Sequence, residues 1–425
     1  MASTSEFLSR FRDSSFARNV VTMLSGTVIA QAIPMAMSPV LTRLYSKEDY
    51  GLYAYFLLVS STISALASLR YEFAIMLPKA DDAAANIVAL SLWLAVFVSA
   101  TLLAVTVLLA AGDSELLARA RLGAWSYALA PMVLLQSVYQ TLSYWLLRKQ
   151  AFRQLSLSRV FRAIAMAIGN VAMGAAAIRG GLVASSLIGQ AVATGVLAAR
   201  VVHSHRRDFG ALSWSVMKRE ARVHRQFALF ALPADLMSML SQQMPVAILP
   251  AGAGGLFAFV QNVVSAPIGF IAGAVLDAFK ERATRDYRER GEFREIFTRL
   301  LKTLAVLAIA PTVILLVAGP HLFGMVFGPA WREGGDVARI LAVMFMCKFV
   351  VSPLSYSYYV VGRTREDFIL HALVVASTAA AMWIGMHVFQ STRAALWLFS
   401  VNYSIVYVVY LIRSYQFSLG ERRAA

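Results

Sequence analysis

Charged side chains within long apolar runs are the residues of this 425-residue chain that are best suited to chemistry. Lys348 lies near the middle of the apolar run 338–361 and shares a helical face with Ser352, Ser355 and Tyr359. A charged side chain at the centre of a bilayer costs about 2.5–3.5 kcal/mol on insertion scales, so it needs water, a partner or a function. We interpret this stripe as facing a water-filled cavity. The alternative is a lysine that reaches the interface or forms a structural ion pair.

Two arginines in the run 156–178 point to similar chemistry. Arg159 and Arg162 are three positions apart, which places them on one helical face. A guanidinium group binds a phosphate through two parallel hydrogen bonds, so a pyrophosphate suits a pair of arginines. Arginines that reach the membrane surface are the alternative interpretation. The two arginines, Lys348 and Arg70 together outnumber the buried carboxylates. This excess of positive charge predicts an anionic substrate.

Glu72 and Asp235 are the carboxylates most suited to binding a coupling ion. Arg70 lies opposite Glu72 on an ideal helix, so the two can face one cavity only if the helix ends there. Asp235 lies within the run 227–249, and two interpretations of it stay open. It binds a proton or cation, or it forms a salt bridge with a nearby arginine. We expect no cofactor other than the coupling H⁺ or Na⁺.

Enzymatic and metal chemistry find little support in the sequence. Cys347 is the only cysteine, and none of the six histidines has a second ligand at the spacing of a metal site. No catalytic residue and no metal ligand is therefore predicted.

Twelve apolar runs must position these side chains. Each has roughly the 20 residues that cross a bilayer as a helix, and hydrophobic residues make up 59% of the chain. Continuously apolar runs favour helices, which satisfy their own backbone hydrogen bonds in lipid, over a barrel of alternating strands. The fold class predicted is an all-α polytopic membrane protein. The predicted spans are 19–41, 50–69, 86–110, 124–147, 156–178, 182–202, 227–249, 255–279, 296–318, 338–361, 368–389 and 394–416.

Topology explains most of the net charge of +16. Of the 39 Lys and Arg residues, 28 fall on one side of the predicted spans and eight on the other. The positive-inside rule then places both termini in the cytoplasm. Anionic membrane lipids are expected partners of this charge, and nucleic acid is not. Residues 1–18 lack the features of a cleavable signal peptide, so the first helix is expected to stay as an anchor.

The chain divides near its middle at a basic segment. We predict an N-terminal six-helix bundle over 1–202, a cytoplasmic basic linker over 203–226 and a C-terminal six-helix bundle over 227–425. An internal repeat supports the division, since Pro-Val and Gly-Leu-aromatic-Ala-aromatic occur in both 39–55 and 245–259. Gly51 matches Gly255 in this repeat. An even number of helices in each half predicts a pseudo-two-fold axis along the membrane normal.

Residues 30–90 resemble the opening of bacterial polysaccharide-biosynthesis flippases of the Wzx type, in the multidrug/oligosaccharidyl-lipid/polysaccharide exporter superfamily. Beyond this block the similarity lies in helix count and spacing. The resemblance implies two six-helix bundles around a cationic cavity, and it assigns Arg43, Arg70 and Glu72 to functional positions. Asp235 and Lys348 rest on burial alone. The matching pieces are Ser38-Pro39, Leu41-Thr42-Arg43-Leu44-Tyr45, Glu48-Asp49-Tyr50-Gly51, Arg70-Tyr71-Glu72, Ala74-Ile75 and Leu77-Pro78.

The same resemblance implies a substrate, an undecaprenyl-pyrophosphate-linked oligosaccharide moved between leaflets of the bacterial inner membrane by alternating access. Arg159, Arg162, Lys348, Arg70 and Arg43 would bind it, while Glu72 or Asp235 would bind the coupling ion. Expected partners are the lipid-linked oligosaccharide, membrane lipids, a glycan polymerase and a chain-length regulator. A multidrug exporter of the same superfamily is one alternative, although it favours an acidic cavity. A membrane glycan polymerase or ligase is the other, although it needs a larger outside loop.

Overall fold

The computed structural model describes residues 15–78, 80–111 and 121–420, and within these ranges it contains helices and no strands. A helix occupies each of the twelve predicted spans. Nine helices of the described ranges are long and apolar enough to cross a membrane. The predicted all-α, multi-pass membrane class is therefore confirmed.

The chain forms two compact units. The N-terminal unit contains the chain as far as Tyr45 together with Leu52–Leu236. One of its cores surrounds the fully buried Trp145, where Ile75 and Ile87 are also buried. The first eight α-helices of the described chain, all or part of which belong to this unit, are α1 (Ser15–Leu44), α2 (Lys47–Ser68), α3 (Asp81–Ala111), α4 (Leu129–Arg148), α5 (Phe152–Ala175), α6 (Gly181–His205), α7 (Trp214–Val223) and α8 (Leu232–Ile248).

The C-terminal unit contains Ser46–Gly51 and the chain from Met237 onward, so α2 and α8 each contribute residues to both units. Its core is aromatic, with Phe279, Phe297 and Tyr358 fully buried. Its remaining helices are α9 (Ala251–Arg290), α10 (Arg294–Phe327), α11 (Arg332–Leu354), α12 (Ser357–Val360), α13 (Thr364–Trp383) and α14 (Thr392–Ser418).

The basic segment 203–226 is part of the N-terminal unit and packs against other elements of it. The buried Asn86 side chain accepts a hydrogen bond from the Ser213 backbone and donates one to the Ala211 carbonyl. Tyr71 donates to the carbonyl of Ala221 in α7, at 3.0 Å. These contacts fix the segment to α3 and to the turn after α2. The domain boundaries at 202 and 226 stay predictions.

Two helices run past the ends of their predicted spans. The sequence places spans at 255–279 and 296–318, yet α9 continues to Arg290 and α10 to Phe327. Hydropathy indicates which residues can enter lipid. A helix, in contrast, ends where its i to i−4 backbone hydrogen bonds end. The added residues in α9 are largely charged, and such residues form helix in water with i,i+4 ion pairs such as Arg282–Asp286.

The two glycines matched by the internal repeat contact one another. Gly51, in the first turns of α2, and Gly255, in α9, both lie in the C-terminal unit. A Cβ atom at Gly255 would overlap the backbone nitrogen of Gly51 and the carbonyl oxygen of Lys47. Beside this crossing, Tyr50 packs edge-on against Phe259 and Trp331, with ring centroids 5.2 and 5.0 Å apart. Glycine is therefore required where the two helices meet.

We expect Gly255→Ala to lower the melting temperature of the purified protein, because the new methyl group meets backbone atoms that can yield only if the helices separate. Overpacking of this kind costs about 1–3 kcal/mol. Gly269→Ala is the matched control in the same helix, since a Cβ there meets nothing within 4 Å. It should leave stability equal or slightly higher. Equal melting temperatures for both variants would contradict the close helix crossing.

Candidate functional site

A cavity of about 560 Å³ lies within the N-terminal unit, between α1, α4 and α5. We call it the N-terminal cavity. Its size falls in the range of small-molecule sites, roughly 300–1,000 Å³. The residues that line it are Ala30, Gln31, Pro34, Tyr139, Gln140, Ser143, Tyr144, Leu147, Leu155, Arg159, Arg162, Ala163 and Met166.

Helical spacing brings the predicted arginines to this cavity. Arg159, Arg162 and Met166 follow the i, i+3, i+7 pattern of one face of α5. Gln140, with Ser143 and Leu147, repeats that pattern on α4. Both arginines are half-buried. They are the only charged groups in the lining described above, so the local field favours an anion.

Arg70, Glu72 and Asp235 form a second charged group in the N-terminal unit. Arg70 Nε lies 3.0 Å from Asp235 Oδ2, and its Nη1 donates to Glu72 Oε1 at 3.4 Å. The backbone makes this possible, because α2 ends at Ser68 and both Leu69 and Arg70 adopt positive φ angles of 48° and 60°. The sequence predicts that Arg70 and Glu72 share a site only if the helix ends near them. The structure shows that α2 does end there.

The carboxylates of this group differ in their surroundings. Glu72 is 1% exposed, whereas the Asp235 side chain is 43% exposed. Glu72 Oε2 is buried and has no hydrogen-bond partner among the described residues. A buried polar oxygen without a hydrogen-bond partner carries a desolvation cost. Asp235 has two interpretations, an ion site and a salt-bridge partner. The structure places it beside an arginine, Arg70. Ion coupling at either carboxylate stays a prediction.

Lys348 and Arg43 belong to neither of these two groups. Lys348 belongs to the C-terminal unit, is half-buried in α11 and donates to Gln242 Oε1 at 3.2 Å. Its stripe companions Ser352, Ser355 and Tyr359 line a separate cavity of about 260 Å³ in that unit. Arg43 is exposed in the last turn of α1 and lines neither cavity. Substrate binding by Lys348 and Arg43 stays a prediction.

The second cavity, which we call the C-terminal cavity, contains polar side chains that the sequence analysis did not connect. Tyr410 OH lies 3.2 Å from Asp367 Oδ1 and 3.0 Å from His371 Nδ1. Tyr359 OH donates to the other carboxylate oxygen of Asp367, at 3.4 Å. The i,i+4 spacing of Asp367 and His371 is visible in the sequence. Their contact with Tyr410 depends on the packing of α13 against α14, which no local pattern shows.

The fold is similar to that of solved transporters at low sequence identity. A lipid II flippase MurJ in an inward closed conformation superimposes with a TM-score of 0.68 at 15% identity, covering 94% of this chain and 90% of that one. An inward-facing multidrug resistance MATE family transporter of the MOP superfamily gives 0.61 at 15% identity, covering 95% of each chain. A MOP superfamily transporter from Pyrococcus furiosus gives 0.55 at 13% identity, covering 93% of each.

Sequence comparison identifies the family. Curated proteins give no match to this chain. Residues 40–334, however, match the family described as polysaccharide biosynthesis protein. The match covers most of the chain and includes the block from Ser38 to Pro78 that carries the predicted resemblance, apart from its first two residues. The chain therefore belongs to the polysaccharide biosynthesis protein family.

Proposed function

We propose that this protein is a flippase that moves an undecaprenyl-pyrophosphate-linked oligosaccharide from the cytoplasmic to the periplasmic leaflet. The observation that carries the proposal is the N-terminal cavity, where Arg159 and Arg162 are the charged lining. Two guanidinium groups on adjacent turns of one helix suit the two phosphates of a pyrophosphate. Family membership and the fold shared with a lipid II flippase support the same substrate class.

In this proposal the protein works by alternating access in the bacterial inner membrane, with both termini in the cytoplasm. The pyrophosphate enters the N-terminal cavity while the polyprenyl tail stays in the bilayer. Glu72 takes up the coupling H⁺ or Na⁺ on its buried Oε2, and Arg70 links that event to Asp235. A glycan polymerase and a chain-length regulator would act on the exported product.

A multidrug exporter is the main alternative, because the fold is shared with a multidrug resistance transporter. The charge of the N-terminal cavity argues against a cationic drug. Its lining carries two arginines and no carboxylate, so a cationic drug meets like charge there. The cavity therefore favours a phosphate-bearing passenger.

Reconstitution in liposomes tests the proposal. We expect the purified protein to move a fluorescent undecaprenyl-pyrophosphate-linked oligosaccharide between leaflets, as measured by quenching with an impermeant reductant. Excess inorganic pyrophosphate should slow this movement by competing for the arginines, whereas tetraphenylphosphonium, a lipophilic cation, should not. Transport of tetraphenylphosphonium with no movement of the pyrophosphate lipid would refute the flippase assignment in favour of drug export.

A further inference from the structure

The C-terminal cavity is chemically unlike the N-terminal one. Its lining carries hydroxyl groups from four serines and four tyrosines, the amide of Gln242, one carboxylate and one imidazole, and it contains neither lysine nor arginine. Lys348 is not part of the lining and donates to Gln242, which is. A cavity with this many hydroxyl groups matches a ligand that both donates and accepts many hydrogen bonds.

The hydrogen bonds of the Asp367 carboxylate restrict further which class of ligand fits the cavity. Both of its carboxylate oxygens lie within hydrogen-bond distance of tyrosine hydroxyls, Oδ2 of Tyr359 and Oδ1 of Tyr410. Each oxygen keeps a lone pair for a sugar hydroxyl, whereas an organic cation would be repelled by Lys348, which donates to Gln242. A phosphate would meet the carboxylate of Asp367 itself. The lining thus disfavours both kinds of ion.

The tyrosine rings of the cavity suit the apolar face of a sugar, as its hydroxyl groups suit the polar edge. Tyr403, Tyr407 and Tyr410 lie along α14 at i, i+4 and i+7, so their rings follow one face of the helix. A sugar ring has an apolar face formed by its C–H groups and an edge of hydroxyl groups. Aromatic faces pack against the first, while side-chain hydroxyls and amides pair with the second.

We propose that the C-terminal cavity is a sugar-binding subsite for the glycan of the transported lipid. This inference rests on the proposed function, and it adds a second site to the pyrophosphate site of the N-terminal cavity. The Gln242 amide, the serine hydroxyls and Asp367 exchange hydrogen bonds with the sugar hydroxyls. The paired tyrosines hold Asp367 in place as an acceptor. A volume of about 260 Å³ limits the subsite to a short portion of a glycan.

Binding to the full-length protein in nanodiscs tests the subsite. The probes are free N-acetylglucosamine, free glucose and farnesyl pyrophosphate, each titrated by calorimetry. We expect at least one of the two sugars to bind. Tyr410→Phe, and separately Ser352→Ala with Ser355→Ala, should weaken sugar binding by about five- to tenfold, the effect of one or two net hydrogen bonds, and leave the affinity for farnesyl pyrophosphate unchanged. Tyr415→Phe, in the same helix but outside the cavity lining, is the matched control and should keep the native affinity for sugar.

The outcomes separate the subsite from the flippase assignment. Arg159→Ala should weaken the binding of farnesyl pyrophosphate and leave sugar binding unchanged. If farnesyl pyrophosphate fails to bind while free N-acetylglucosamine or glucose binds to the native protein and not to Tyr410→Phe, the subsite stands and the flippase proposal fails. Sugar binding that is absent, or that is unchanged in both cavity variants, overturns the subsite. Binding of tetraphenylphosphonium that is lost in Asp367→Asn would also overturn it, because the cavity would then be a cation site.

Discussion

Replacing both Arg159 and Arg162 by alanine is expected to abolish glycan export while leaving the protein in the membrane. The two guanidinium groups are the charged lining of the N-terminal cavity. A hydrogen bond to a charged group contributes about 1.5–3 kcal/mol, so loss of two should cost ~3–6 kcal/mol of binding. This corresponds to a loss of roughly 10²–10⁴ in affinity. Export in cells that lack the native gene, with protein level in the membrane measured in parallel, checks the prediction.

The matched control for this pair is Arg153→Ala, which removes an exposed arginine from the first turn of the same helix and should export normally. Lysine at both cavity positions should give an intermediate loss, because an ammonium keeps the charge and lacks the two-pronged geometry of a guanidinium. Full export by the double alanine variant would show that the arginines of the N-terminal cavity are not needed for export. Equal loss in the Arg153 variant would show that general charge, and not the cavity, matters.

The sequence predicted what local patterns control. A run of about 20 apolar residues is a strong signal for a helix that can enter a membrane, and helix occupies every predicted span in the structure. The spacing of Arg159 and Arg162 predicted a shared helical face, and both line one cavity. Gly51 and Gly255 were matched as repeat positions, and the structure shows why each must be glycine, since the two backbones meet there.

Features that depend on distant parts of the chain could not be predicted. The group of Arg70, Glu72 and Asp235 joins residues about 165 positions apart and needs two left-handed backbone positions at non-glycine residues. No local sequence pattern predicts a turn with positive φ at Leu69 and Arg70. In the C-terminal cavity, Tyr410 reaches His371 across 39 positions. Tertiary packing decides both contacts, so sequence patterns give the candidates but not their partners.

The Arg70 group gives the second large expected effect. Arg70→Ala removes the cation 3.4 Å from Glu72, a carboxylate that is 1% exposed, and 3.0 Å from Asp235. Removing one partner of a buried ion pair leaves an uncompensated charge and costs about 3–5 kcal/mol. We therefore expect a marked fall in the melting temperature of the purified protein. Arg299→Ala, which breaks the exposed Arg299–Glu295 pair, should cost at most about 1 kcal/mol.

A double variant separates the buried charge from other effects of losing the arginine. Adding Glu72→Gln to Arg70→Ala removes the uncompensated carboxylate while keeping the shape of the side chain, so part of the lost stability should return. Glu72→Gln alone should fold, because Arg70 still lies beside Asp235. That variant should also lose any acceleration of lipid movement by a proton or sodium gradient. Additive losses in the double variant would show that Arg70 does not stabilise the charge of Glu72, and coupling by Glu72 would then lack its structural basis.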